Sequence, residues 1–195
     1  MIRPSDYTKA LALAAACLGL AACGGTKTAD IPNGSEKATA TTPAATETAA
    51  KAPTFAKPTA EVQSIADAVG TSTKKKPKIP KPKGKPPTKL TVVDIAEGTG
   101  AAAAEGDTLT VDYAGTSWST GKEFDASWNS GQPFPVTLGQ GQVIQGWEQG
   151  LQGMKQGGRR LLVIPPDLGY GSSGSGDKIK PNETLLFVVD VRKKT

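Results

Sequence analysis

Side chains able to build a core gather in the second half of this chain, and that asymmetry limits what it can fold into. From Gly24 to Lys89 the sequence is mostly Ala, Thr, Pro and Lys, with Phe55 its one aromatic and few branched apolar residues. Such a stretch buries too little surface to offset the entropy of ordering it. Residues 23–76 therefore read as a disordered tether, with a reach of roughly 45 Å for the whole stretch up to Lys89 if it is a flexible coil. Residues 77–89 read as a Lys/Pro-rich lead-in. One exception is Thr59 to Gly70, where Val62, Ile65, Ala66 and Val69 have the spacing of a short amphipathic helix, formed or transient. Branched and aromatic residues then concentrate in 90–195, and about a hundred residues suffice for one small core.

The formal net charge is +5, but its placement matters more than its size. Eight lysines fall between Lys74 and Lys89, whereas Leu90 to Thr195 holds twelve acids against nine Lys or Arg, a net of −3. The lysine run reads first as a solvated, self-repelling spacer and second as a contact for an anionic envelope surface. Nucleic acid is a distant third, because the domain itself is mildly acidic.

At the N-terminus Arg3 and Lys9 precede a thirteen-residue apolar run, Ala10 to Ala22. The run is too short to span a bilayer but has the length of a signal-peptide core. Residues 1–22 are expected to be that signal peptide. The following Leu20-Ala21-Ala22-Cys23 resembles the bacterial lipobox, which would make Cys23 the lipid-anchored first residue of the mature protein; Cys17 is a weaker candidate. No cysteine occurs after Cys23, so the domain needs no disulfide. These features imply an extracytoplasmic protein held to the bacterial cell membrane by its lipid.

Within 90–195 the alternation of Leu109, Val111 and Tyr113, and of Phe134, Val136 and Leu138, predicts strands. Leu90 to Ile95, "RRLLVIPP" and Thr184 to Val191 add others. Between them "QVIQGWEQGLQGM" has helical spacing, with Trp147, Leu151 and Met154 on one side. The expected class is α+β, an antiparallel sheet of about five to six strands wrapped around one short helix. Gly146, Gly150 and Gly153 are costly in a helix, about 0.8–1 kcal/mol each relative to alanine. They call for a close approach of backbone to the sheet.

The chain has no histidine and its only two cysteines are N-terminal. Histidine acid/base catalysis, Ser-His-Asp and Cys-His nucleophiles and the usual zinc ligand sets are excluded. "GYGSSG", Gly169 to Gly174, matches a dinucleotide fingerprint by letters only, because Pro181 and an aperiodic stretch follow where that fold requires a helix. Its glycines read better as a flexible crossing over a pocket. What the domain does hold is aromatic: Tyr113, Trp118, Phe124, Trp128, Phe134, Trp147, Tyr170 and Phe187. Any one of them can be plain core, but two tyrosines together can set hydroxyls at the edge of an apolar pocket.

Five blocks, "VDYAG", "GKEFDAS", "PFPVTLGQGQVIQGWEQGLQGMKQGGRR", "IPPDLGYG" and "NETLLFVVDV", follow one another with the spacing of FK506-binding-protein-type peptidyl-prolyl cis/trans isomerases. The resemblance covers Leu90 to Thr195. It implies an isomerase of Xaa-Pro bonds that needs no cofactor and no metal and acts on proline-containing polypeptides, with FK506- or rapamycin-type macrolides as ligands. It also implies the roles. Trp147 floors a proline pocket lined by Tyr113, Phe124, Phe134, Val143, Ile144 and Phe187, with Ile179 leaning over it. Ile144 offers its backbone N–H to a substrate carbonyl, Tyr170 donates its hydroxyl, and Asp125 orients the twisted amide. Ser130 stands where many members carry arginine, so the partner of Asp125 is open. Ser175 and Lys178 replace a commoner histidine and apolar residue. The rival reading is a non-catalytic binding module or holdase with the same fold. No feature demands an oligomer, and a monomer is expected.

Overall fold

The structure, a computed structural model, describes residues 54–195. The expected signal peptide, Cys23 and the first part of the tether lie outside the described residues. Six strands form one antiparallel sheet: β1 (Thr91–Ala96), β2 (Thr108–Ser117), β3 (Glu123–Ala126), β4 (Phe134–Thr137), β5 (Arg159–Ile164) and β6 (Leu185–Lys194). The order across the sheet is β1-β5-β6-β2-β3. The long β2 takes two partners on its free side: β4 along Thr108 to Val111 and β3 along Ala114 to Thr116. Two α-helices accompany the sheet, α1 (Ala60–Val69) and α2 (Gln145–Gly150). The α+β class with a short helix against the sheet is therefore what the molecule has.

The sheet is covered on both faces. On the inner face Leu162, Ile164, Leu185, Phe187, Val189 and Val191 pack with Trp147, Leu151 and Met154. On the outer face Leu161, Val163, Leu186 and Val188 pack with Val62, Ile65 and Ala66 of α1. This corrects the tether, which was expected to run to residue 76. Thr59 caps α1 by accepting the Val62 N–H, and its three apolar residues are each at most 2% exposed. The pattern at helical spacing finds a partner that composition alone did not reveal: an apolar sheet face needing cover. Among the described residues no helix is long and apolar enough to cross a membrane.

The chain after α1 is fixed to the same face. Arg159, 1% exposed, pairs with Asp190 through two 2.6 Å bonds and donates to the carbonyls of Gly70 and Lys75 at 3.2 and 3.1 Å. Burial raises the Asp190 pKa, an effect the guanidinium opposes. Further on, Pro77, Ile79 and Pro82 are buried while Lys78, Lys81 and Lys83 point to solvent. The lead-in is thus an extended strip laid on the domain rather than a free spacer. Trp118 anchors it by donating Nε1–H to the Gly84 carbonyl at 3.1 Å.

Helix α2 is shorter than the spacing from Gln142 to Met154 suggests. Gly146 and Gly150 answer the need for close approach. A Cβ on Gly146 would collide with the Ile164 side chain, and one on Gly150 would lie 2.8 Å from Leu162 Cδ2. Gly153 does something different: it has φ +80° and space around it, so it turns the chain after the helix rather than seating it. Arg160 closes this end, donating to the carbonyls of Gly150 and Gln152 at 2.8 Å each while pairing with Asp94. That satisfies carbonyls a helix end leaves free.

Candidate active site

Between the start of α2, the inner face of β2, β3 and β6, and the loop before β6 lies an open cavity of about 840 Å³. Trp147 sits in the first turn of α2 and is held by the glycine contacts beneath it. Its ring meets Tyr113 and Phe187 edge-on at 5.2 Å and Phe134 at 6.3 Å. Phe124 stands edge-on to Phe187 at 5.4 Å. Val143 and Ile144 complete the wall at the turn into the helix. Among the described residues Phe134 and Tyr170 are the two large hydrophobic side chains left exposed, 39% each, and both line this cavity. Exposure there marks a mouth, not poor packing.

All ten pocket residues expected from the sequence line the one cavity: Tyr113, Phe124, Asp125, Phe134, Val143, Ile144, Trp147, Tyr170, Ile179 and Phe187. Gln142, Gly176 and Asp177 also line it and were not foreseen. They belong to loops, where side-chain direction has no period from which to be read.

Polar geometry at the rim is specific. The Tyr113 hydroxyl donates to Asp125 Oδ2 at 2.5 Å, and the Ala126 N–H donates to Oδ1 at 2.9 Å. This resolves the question raised by Ser130, whose hydroxyl donates to the Ser127 carbonyl at 2.9 Å. Asp125 is oriented by a tyrosine and a backbone amide instead of a cation. Burial, then the Asp125 hydrogen bond and charge, push the Tyr113 phenol well above its ordinary pKa. Behind it, the Tyr113 N–H donates to Ser127 Oγ, whose hydroxyl donates to Asp112, itself paired with Arg192. The Arg192 guanidinium lies 5.0 Å over the Trp128 ring. This support was not read from the sequence, since its members are far apart along the chain.

The Tyr170 hydroxyl and the Ile144 N–H have no internal partner among the described residues. Both are therefore free to donate to a ligand. Glu148 in α2 accepts the Gly139 N–H at 2.6 Å, which ties the loop preceding Ile144 to the helix. The Gly/Ser stretch is more ordered than a flexible crossing. Ser175 and Ile179 exchange two backbone bonds of 2.9 and 3.1 Å, and the Asn182 N–H donates to the Gly171 carbonyl at 2.8 Å. That small hairpin presents Ile179, 6% exposed, to the cavity. No cluster of potential metal ligands occurs among the described residues.

Comparison with known proteins gives the context. The family model "FKBP-type peptidyl-prolyl cis-trans isomerase" matches residues 100–192. An FK506-binding protein of Streptomyces anulatus is 55% identical over 117 residues, 60% of this chain and 94% of that protein. The chain belongs to the FKBP family. An FK506-binding protein of Neisseria meningitidis serogroup B is 47% identical over 105 residues, covering 53% of this chain and 94% of its own. Among solved structures, AtFKBP13 superposes with a TM-score of 0.51 at 38% identity, covering 56% of this chain and 96% of that one. FkpA from Escherichia coli gives 0.51 at 40% identity over 57% and 51% respectively. Each fraction of this FKBP chain is close to the length of its sheet and inner-face site.

Proposed function

We propose that this protein is a peptidyl-prolyl cis/trans isomerase, acting at the bacterial envelope on exported polypeptides and anchored through Cys23. The observation that carries the catalytic part is the combination of a cavity walled by aromatic side chains with two donors at its rim that have no partner among the described residues, Tyr170 Oη and the Ile144 N–H. Rotation about an Xaa-Pro bond faces a barrier of about 18–20 kcal/mol because the twisted amide loses resonance. No bond breaks and no proton leaves carbon, so the missing histidine is no obstacle.

A proline ring packs over Trp147 between Tyr113, Phe134 and Phe187. The Ile144 N–H donates to a carbonyl of the bound chain and fixes that side of the peptide. Tyr170 donates on the other side. Asp125, held from behind by Tyr113, faces the rotating amide with a fixed negative charge. Donors and charge that fit the twisted amide better than the planar one lower the barrier. A thousandfold acceleration needs about 4 kcal/mol of such preference. FK506-type macrolides are expected to compete for the cavity.

The test is cis-to-trans relaxation of a short Xaa-Pro peptide in the presence of the full chain, with and without FK506. Acceleration removed by FK506 supports this reading. A folded protein that leaves the relaxation unchanged would instead be the binding module.

A further inference from the structure

The lysine-rich strip has a role that the cavity does not explain. Prolines and Ile79 pin its backbone to the outer sheet face, so its lysines form a fixed row and not a mobile brush. Buried Pro77, Ile79 and Pro82 alternate with exposed Lys78, Lys81 and Lys83, and an extended strip of this kind rises about 3.1 Å per residue. Only Lys76 among its lysines has a carboxylate within ion-pair distance among the described residues, Glu123 at 2.8 Å. Lys122 joins the row, because its neighbour Gly121 packs against the Lys81 side chain. Acids beside this face include Glu123, which pairs with Lys76, and Glu61 and Asp67 of α1, where Glu61 accepts the Lys83 N–H and Asp67 accepts from Gln63; these three carboxylates stand against the eight lysines from Lys74 to Lys89. The cationic row therefore stands in surplus on a domain that is otherwise acidic.

We infer that this row is a docking surface for a bilayer bearing anionic phospholipid headgroups. Unpaired ammonium groups held at fixed spacing suit a plane of phosphates, each lysine contributing to attraction that salt screens. The strip has neither arginine nor an exposed aromatic side chain, the groups that grip and stack nucleic acid. The cavity opens from the inner face of the sheet and the strip covers the outer one. Docking by the strip consequently leaves the cavity available to substrate.

The experiment uses the chain from Gly24 onward, so that neither an acyl group nor the apolar run Ala10 to Ala22 contributes. Its co-sedimentation is measured with vesicles of phosphatidylcholine alone and with roughly a third phosphatidylglycerol. Tighter binding to the anionic vesicles, lost as salt rises from about 0.05 to 0.5 M, is expected. Replacing Lys78, Lys81 and Lys83 together by Gln should weaken it about a hundredfold, with thermal unfolding unchanged because all three side chains point to solvent. Equal binding to both vesicle types, or a triple variant that binds as before, overturns the inference. So does a preference for DNA or RNA over anionic vesicles at the same salt.

Discussion

Tyr113 and Tyr170 look equivalent in the sequence and are not equivalent in the site. The Tyr113 proton is committed to Asp125, whereas the Tyr170 hydroxyl has no partner among the described residues. Tyr170→Phe should slow turnover roughly two- to tenfold, the worth of one ordinary hydrogen bond, with the melting temperature unchanged; peptide relaxation and thermal unfolding measure the two. Asp125→Asn keeps the shape but removes the charge, and is expected to lower kcat/KM on the order of tenfold. The pair also has a pH signature. A phenol whose folded pKa is raised contributes stability that is fully present below its unfolded value, about 10, and lost only as pH rises through the higher folded value. Turnover and stability should therefore show no titration from Tyr113 up to about pH 10. A tyrosinate absorption step below that pH, absent in Tyr113→Phe, would contradict the geometry.

At the scale of elements, α2 tests how closely a helix can lie on a sheet. Alanine at Gly146 should gain about 1 kcal/mol of helix propensity but meets Ile164, which is fully buried in β5 and cannot move aside. Overpacking of this kind costs about 1–3 kcal/mol, so the clash wins and Gly146→Ala should lower the melting temperature. Adding Ile164→Ala removes the colliding atoms, and the double variant should be more stable than the sum of the two changes by about 1 kcal/mol. The glycine beat was legible in the sequence as a demand for close contact. That Gly153 belongs to the turn instead was not, because its left-handed φ depends on where the helix stops, and Arg160 reaching from β5 decides that. The pocket aromatics were legible through their resemblance to a family. The Tyr113–Asp125 bond was not, because a side-chain partner across two strands depends on register, which shifts between Gly115 and Thr116.

For the whole molecule the sequence concealed how far the folded body extends. Residues 161–164 of β5 and 185–189 of β6 are unbroken apolar runs, a pattern of burial on both faces, and an outer cover had to come from somewhere. It comes from α1 and the strip after it. The family model matches residues 100–192, so α1 and the strip lie outside that match. Cutting the chain before residue 77 would uncover Leu161, Val163, Leu186 and Val188 and strip Arg159 of both carbonyl acceptors. Burying a valine or isoleucine is worth about 1.5–3 kcal/mol, offset by the entropy of ordering the segment. A net loss on the order of 3 kcal/mol is expected, a fall of about 10 °C in melting temperature for a domain of this size. Comparing chains that begin at residues 54 and 77 measures it, with dye binding to the uncovered face as a second readout. Peptide turnover per folded molecule should stay the same, since the cavity lies on the other side of the sheet; equal melting temperatures would mean that α1 docks without net gain.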